Sequence, residues 1–184
     1  GWKDKKGKLP PYRGIGIASM IHPSGSVLYA EGNFSNIAIE LHPDGRMTVF
    51  TQTADAGTWQ NTVLAQVVAE TLGVTMEGIS VVHMDTELGP DDLGSAASRV
   101  TFVTGNAAIA AGKSLVSKLR ERIASEWGIG ADEVKYEAGV FSNARDKRRE
   151  LTLPQAAQRF GSLRVEGRYE IGLERPDPIT GYGN

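Results

Sequence analysis

The residues best placed to do chemistry are a run of small ones rather than a triad or a metal motif. Gly94-Ser95-Ala96-Ala97-Ser98-Arg99 follows the acidic, glycine-punctuated stretch from Asp85 to Asp92 and precedes a long alanine-rich segment. A small-residue loop entering a helix leaves main-chain N–H groups uncovered. The aligned peptide dipoles add partial positive charge at the same place. Such a junction suits an anionic or strongly polar ligand held by main chain. The same residues also fit a plainer arrangement, with serine as an N-cap and an Ala/Gly face packed closely on a sheet. Residue types alone leave both readings open. A second junction of this kind, Ala54-Asp55-Ala56-Gly57-Thr58, precedes an earlier helix, with Gly57 or Thr58 near its N-cap. Two such helix starts facing one cleft would clamp a ligand with two polar ends. Periodicity does not say whether they converge.

Other chemistry is thin. His22, His42 and His83 are scattered, and a metal site needs converging ligands. Asp85, Glu87, Asp91 and Asp92 cluster in sequence but lack a calcium-loop pattern, so a solvated loop is expected. There is no cysteine, which excludes a thiol nucleophile, a disulfide framework and an iron–sulfur site within the chain. A formal net charge of −2 argues against a nucleic-acid partner. No apolar run approaches the roughly 20 residues that span a bilayer.

These loops must be positioned by elements that the patterning suggests. With 184 residues, 40% of them apolar, one domain with a full core is expected. Arg13–His22 reads as a strand weakened by Gly14 and Gly16. Asn36–Leu41 and Arg46–Thr51 alternate around His42-Pro43-Asp44-Gly45, a hairpin with a Pro-Asp-Gly turn. A helix follows, with Trp59, Val63, Val67 and Leu64, Val68, Leu72 at helical spacing and Gly73 at its end. Ile79–Asp85 is a strand, and Ser98–Trp127 a long helix. Val134–Tyr136 and Val140–Ser142 form a second hairpin. Asn143–Glu150 reads as a charged, solvated loop. Thr152 caps a short helix, and Leu163–Leu173 is a last strand. The fold class is α+β: a two-layer sandwich of a mixed β-sheet with two main helices and one short helix. Residues 1–12 form an extended arm stiffened by Leu9-Pro10-Pro11, residues 13–173 the domain, and residues 174–184 a turn-rich tail. Both ends break off in loop chemistry, so a segment of something larger is expected.

Two runs together carry a likeness: D-A-G-T-W-Q-N-T-V-L-A-Q-V-V-A-E-T-L-G from Asp55, and I-S-V-V-H-M-D-T-E-L-G-P-D-D-L-G-S-A-A-S-R-V-T-F-V-T-G-N-A-A from Ile79. They resemble the molybdenum-cofactor-binding large subunit of the xanthine dehydrogenase/aldehyde oxidoreductase family, most closely its 4-hydroxybenzoyl-CoA reductase-like branch. The arm G-W-K-D-K-K-G-K-L-P-P-Y-R-G-I-G-I-A resembles the lead-in to the second cofactor-binding region there. The likeness spans nearly the whole chain, which would then be about a quarter of a full subunit. It implies that Gly57, Thr58, Gly94, Ser95, Ala96, Ala97, Ser98 and Arg99 help hold a molybdopterin cofactor, in a dinucleotide form, with Ala97 matching the alanine whose backbone nears the metal.

The resemblance further implies partner subunits carrying iron–sulfur clusters and FAD, an oligomer, and a cytoplasmic location. Two departures stand out. The family has Gly-Gln-Gly where this chain has Gly57-Thr58-Trp59, and the family's glutamate base lies beyond this segment. No catalytic residue is therefore assigned. The expectation is a segment or split subunit of a molybdenum hydroxylase-type oxidoreductase, acting on an aromatic and potentially CoA-thioester substrate, and not competent alone. The alternatives are an aldehyde- or purine-oxidising branch, and a non-enzymatic remnant or scaffold that has lost the cofactor.

Overall fold

The computed structural model describes residues 4, 7–20, 32–146, 148–172, 177 and 179–180. Its ordered elements are β1 (Asn33–Leu41), β2 (Met47–Thr51), α1 (Gln60–Leu72), β3 (Ile79–His83), α2 (Gly105–Trp127), β4 (Val134–Glu137), β5 (Val140–Asn143), β6 (Glu150–Thr152), α3 (Leu153–Phe160) and β7 (Leu163–Ile171).

The first hairpin forms as its alternation predicts. β1 and β2 pair antiparallel from Ala38↔Phe50 to Leu41↔Met47, and the turn closes with the Gly45 N–H donating to the His42 carbonyl at 2.9 Å. β7 pairs antiparallel with the whole length of β1, and β3 lies parallel to β2. The mixed sheet thus runs β3-β2-β1-β7. The parallel step is bridged by α1, as a crossover requires.

α1 and α2 pack against one face of this sheet. Ile37, Ile39, Leu41, Val49 and Val165 meet Leu64, Val68 and Leu72 of α1 and Ala107, Ala108, Ala111 and Leu115 of α2 in one buried cluster. Of the two apolar rows on the first helix, only Leu64-Val68-Leu72 enters the core. Val63 and Val67 are half-buried, and Trp59 is 74% exposed. The smooth first half of α2 has a packing cause. A Cβ built on Gly167 of β7 would lie 2.7 Å from the Ala111 Cα, and closer still to the Ala111 N and the Ala107 carbonyl oxygen. Helix and strand backbones therefore touch, which only small residues on both sides permit. Gly112 makes the corresponding close approach to Thr71 of α1.

The second half of α2, with Leu119 and Ile123 buried, carries the chain to a separate sheet, β4-β5-β6, backed by α3. At about 1.5 Å per residue, a 23-residue helix spans roughly 35 Å, more than the first sheet can cover. The expected mixed sheet and three helices are present, and the second hairpin extends into a small antiparallel sheet of its own. The charged stretch before Thr152 also ends in strand β6, because Glu150 and Leu151 pair with Ser142 and Phe141. Thr152 caps α3 through a capping box with Gln155, as its position suggests, and Pro154 sits in the first turn.

Two expectations at the N-terminus are corrected. Residues 13–20, the described part of the predicted Arg13–His22 strand, pair with nothing among the described residues and lie exposed. A strand forms only by pairing, whatever its pattern. His22 lies outside the described residues, as does Leu173. Pro10 and Pro11 do not run straight: the Arg13 N–H donates to the Pro10 carbonyl at 3.2 Å, closing a turn.

Candidate functional site

The two small-residue loops converge. Ala54, Ala56, Thr58 and Gln60 on one side and Ser95, Ala96, Ala97 and Ser98 on the other line a cavity of about 340 Å³, with Val63, Arg99, Val100 and Thr101 completing it. The sheet and α1 explain this. Both loops leave the C-terminal ends of strands in the parallel pair β2 and β3, which end beside each other at Thr51 and His83. Ligand clefts in sheets with parallel strands commonly lie at that end.

The loops are tied together by side chains. The Ser95 hydroxyl donates to the Ala54 carbonyl at 2.9 Å and accepts from the Gln60 amide nitrogen at 3.1 Å. Gln60 is only 6% exposed, on the first turn of α1. It is a cavity residue that the sequence reading missed, hidden by the ordinary look of a polar residue at a helix start.

At the Gly57 junction the main-chain donors are already engaged. The Asp55 carboxylate accepts the N–H groups of Gly57, Thr58 and Trp59 at 3.0, 3.1 and 3.2 Å. The N-cap of α1 is Trp59, not Gly57 or Thr58, and it has left-handed backbone with φ 58° and no side-chain cap. A glycine would adopt that backbone without steric cost. On this side Thr58 and Gln60 line the cavity, and the three N–H groups of the turn are already engaged. The spacing Asp55-x-Gly57-Thr58 was a legible sign, since an aspartate two residues before a glycine commonly caps its own turn.

The opposite loop is built differently. Ala97 and Ser98 are both left-handed, with φ of 46° and 54°, and the Arg99 N–H closes a turn onto the Ala96 carbonyl at 3.0 Å. Ser98 thus precedes the helical path rather than capping it. Val100–Thr104 form a π-helical turn, with Arg99 at its N-cap and no side-chain cap, and this turn leads directly into α2.

What holds this loop is Arg99, which is 1% exposed. Its guanidinium donates to the Asn33 side-chain oxygen at 2.9 Å, the Ser35 hydroxyl at 3.0 Å, the Gly94 carbonyl at 2.6 Å and the Phe34 carbonyl. It also faces the Asp92 carboxylate at 3.4 Å, with both side chains fully buried. The charged end of Arg99 is thus spent on protein groups. It locks the loop to β1 while the rest of the residue borders the cavity.

The acidic stretch is not a uniformly solvated loop. Asp92 is a buried partner of Arg99, and its carboxylate also accepts the N–H groups of Asn36 at 2.9 Å and Gly94 at 2.7 Å. Asp85 caps its own turn by accepting from Glu87 and Leu88. Among the described residues no three histidine, aspartate or glutamate side chains converge as metal ligands. His42 bonds Thr48 at 2.8 Å, away from the cavity. No described helix is long and apolar enough to cross a membrane.

Comparison with known proteins gives a consistent answer. Residues 2–184 match the family model of the molybdopterin cofactor-binding domain. The chain is 40% identical over 129 residues to the gamma subunit of the 6-hydroxypseudooxynicotine dehydrogenase complex of Paenarthrobacter nicotinovorans, covering 70% of this chain and 16% of that protein. It is 33% identical over 138 residues to the aldehyde oxidoreductase molybdenum-binding subunit of Escherichia coli (strain K12), covering 75% of this chain and 18% of that one. The fold matches that of reconstituted CO dehydrogenase from Oligotropha carboxidovorans with a TM-score of 0.72 at 20% identity, covering 82% of this chain and 20% of that one. The chain therefore spans about a sixth to a fifth of the length of the relatives it matches.

Proposed function

Because the chain belongs to the molybdopterin cofactor-binding domain family of xanthine and CO dehydrogenases, we propose that it supplies two loops of a molybdenum cofactor site in a larger oxidoreductase. The observation that carries this reading is the convergence of Thr58 and Gln60 with Ser95–Ser98 on one cavity, although these loops lie some 35 residues apart in sequence.

The residues present fit such a group, unequally on the two sides. The Ser95–Ser98 side offers small side chains and a tight left-handed turn, a wall against which a polar heterocycle can lie at backbone distance. Ala96 and Ala97 leave that wall open, and Arg99 and Asp92 keep it in place from behind. The Gly57–Trp59 side lines the cavity with Thr58 and Gln60 while Asp55 holds its N–H groups. When bound, the cofactor would supply the two-electron chemistry by which a carbon is hydroxylated with water, or dehydroxylated in the reverse sense. This chain's residues would orient it and shield one side from water. No general base is assigned among them.

The finer reading follows from the resemblance of the Asp85–Gly105 run. The cofactor is a dinucleotide form, the substrate an aromatic compound of the 4-hydroxybenzoyl-CoA reductase-like kind, and iron–sulfur and FAD subunits carry the electrons in a cytoplasmic oligomer. The test is molybdenum by elemental analysis and pterin fluorescence after oxidation, measured on the assembled protein that contains this chain. Near-stoichiometric molybdenum and pterin are expected, with a large loss in Ala96→Leu, whose side chain would intrude on the cavity. An assembled, folded protein with neither molybdenum nor pterin would overturn the reading in favour of a cofactor-free remnant.

A further inference from the structure

We propose that Gln60 is a positioning residue, which fixes the Gly94–Ser98 loop against the end of β2 by acting through the Ser95 hydroxyl. Only the second measurement below rests on the cofactor reading. Three observations support the proposal. Gln60 is a polar side chain that is 94% buried by position, yet it borders the cavity on the first turn of α1. A buried amide is retained at little cost only where it is hydrogen-bonded. Its nitrogen donates to Ser95 at 3.1 Å, and this bond joins two segments 35 residues apart. Ser95 in turn donates its single hydroxyl hydrogen bond to the Ala54 carbonyl at 2.9 Å, 41 residues away.

The direction of the relay has a consequence. A hydroxyl has one proton to give. With that hydrogen bond directed at the Ala54 carbonyl, Ser95 has no donor left for a ligand and meets the Gln60 amide as an acceptor. Its side chain is therefore a strut between the loops. Arg99 anchors the same loop from the β1 side, so the loop is held from two directions. Arg99 holds its ends at Gly94 and residue 99, and Gln60 holds Ser95 on the cavity side. Removing the amide should loosen the loop without disturbing the sheet, because Ile37, Ile39 and Leu115 of the core lie elsewhere.

The experiment is site-resolved amide hydrogen exchange of the full chain, without added cofactor, in Gln60→Met, Ser95→Ala and the double variant. The reporters are the Gly94 and Arg99 N–H groups, which bond Asp92 and Ala96. Methionine keeps the length and helix propensity of glutamine and lacks the amide. Gln60→Met should exchange at these positions about fivefold faster, the change that one lost hydrogen bond produces. Ser95→Ala, which loses the bonds to both Gln60 and Ala54, should exchange at least as fast, and the double variant no faster than Ser95→Ala alone. Amides within α2 should be unchanged, and Ser95→Thr, which keeps a hydroxyl, should restore slow exchange. In the assembled protein, pterin content should fall in the same order as the loop loosens. Unchanged exchange in Gln60→Met, or effects that add in the double variant, overturns the proposal. If Gln60→Met does not fold, normal exchange in Ser95→Ala is sufficient to overturn it. Loosened exchange with no bound pterin in any variant leaves Gln60 as the strut and refutes only the cofactor reading.

Discussion

Arg99→Met isolates the arrangement on which the cavity wall depends. The substitution removes five guanidinium contacts, to Asn33, Phe34, Ser35, Gly94 and Asp92, from a site where the Arg99 and Asp92 side chains are both fully buried. Breaking one partner out of a buried pair costs about 3–5 kcal/mol, mostly as the charge left behind. Here Asp92 keeps two main-chain donors, the N–H groups of Asn36 and Gly94, so its charge is not bare. Ser35 likewise keeps Thr104 at 2.8 Å. The expected loss therefore lies near the lower end, about 3 kcal/mol, which for a chain of this size corresponds to a midpoint lowered by roughly 6–12 °C. The assay is thermal and urea unfolding followed by circular dichroism. Arg99→Lys should recover only part of the loss, since one ammonium cannot reach acceptors spread across a planar fork. Replacing Asp92 with asparagine in the Arg99→Met background should cost less than the sum of the single changes. A loss below about 1 kcal/mol in Arg99→Met, or full recovery in Arg99→Lys, would refute the assignment of Arg99 as the anchor.

Gly167→Ala should be among the most damaging single-methyl changes in the chain. The added Cβ meets helix backbone at Ala107 and Ala111 rather than a movable side chain. An overpacking cost of about 1–3 kcal/mol or more is expected, measured by urea midpoint, and near-wild-type stability would show that α2 lifts freely from β7. For Tyr136, burial pushes the phenol up from its ordinary value of 10.0 to about 12. Its hydroxyl donates to the Leu72 carbonyl at 2.7 Å, which ties β4 to the end of α1. The raised value favours the neutral form in the fold, so this contribution is intact below pH 10 and is lost as pH rises from 10 towards 12. Ultraviolet titration should show a late phenolate phase that Tyr136→Phe removes, and Tyr136→Phe should flatten the alkaline loss of stability. A phase near pH 10 for this residue would contradict the burial.

Much of the scaffold was legible because it rests on local rules. The Pro-Asp-Gly turn, the helix-ending glycines Gly73 and Gly128 in left-handed backbone, and the Thr152 capping box each depend on a few adjacent residues. The two candidate loops were legible for the same reason, as small residues preceding apolar periodicity. The failures share an opposite cause. The Arg13–His22 pattern has strand character, but pairing needs a partner that local sequence does not supply. Glu150 looked like the end of the solvated loop Asn143–Glu150 because its strand identity comes from pairing with β5. Asp92 looked like one acid among four until Arg99, seven residues on and folded back, buried it.

By itself, then, the sequence determined the α+β class, the hairpins, the helix ends and the two small-residue junctions, since each is encoded within one or two turns of chain. Tertiary structure alone decided whether those junctions meet. It did so through contacts 35 to 66 residues apart, Gln60 to Ser95 and Arg99 to Asn33. It also decided which donors face the cavity, by committing the Asp55 carboxylate to one loop and the Arg99 guanidinium to the other. Each donor and acceptor has a limited capacity, and only the folded arrangement determines which partners fill it.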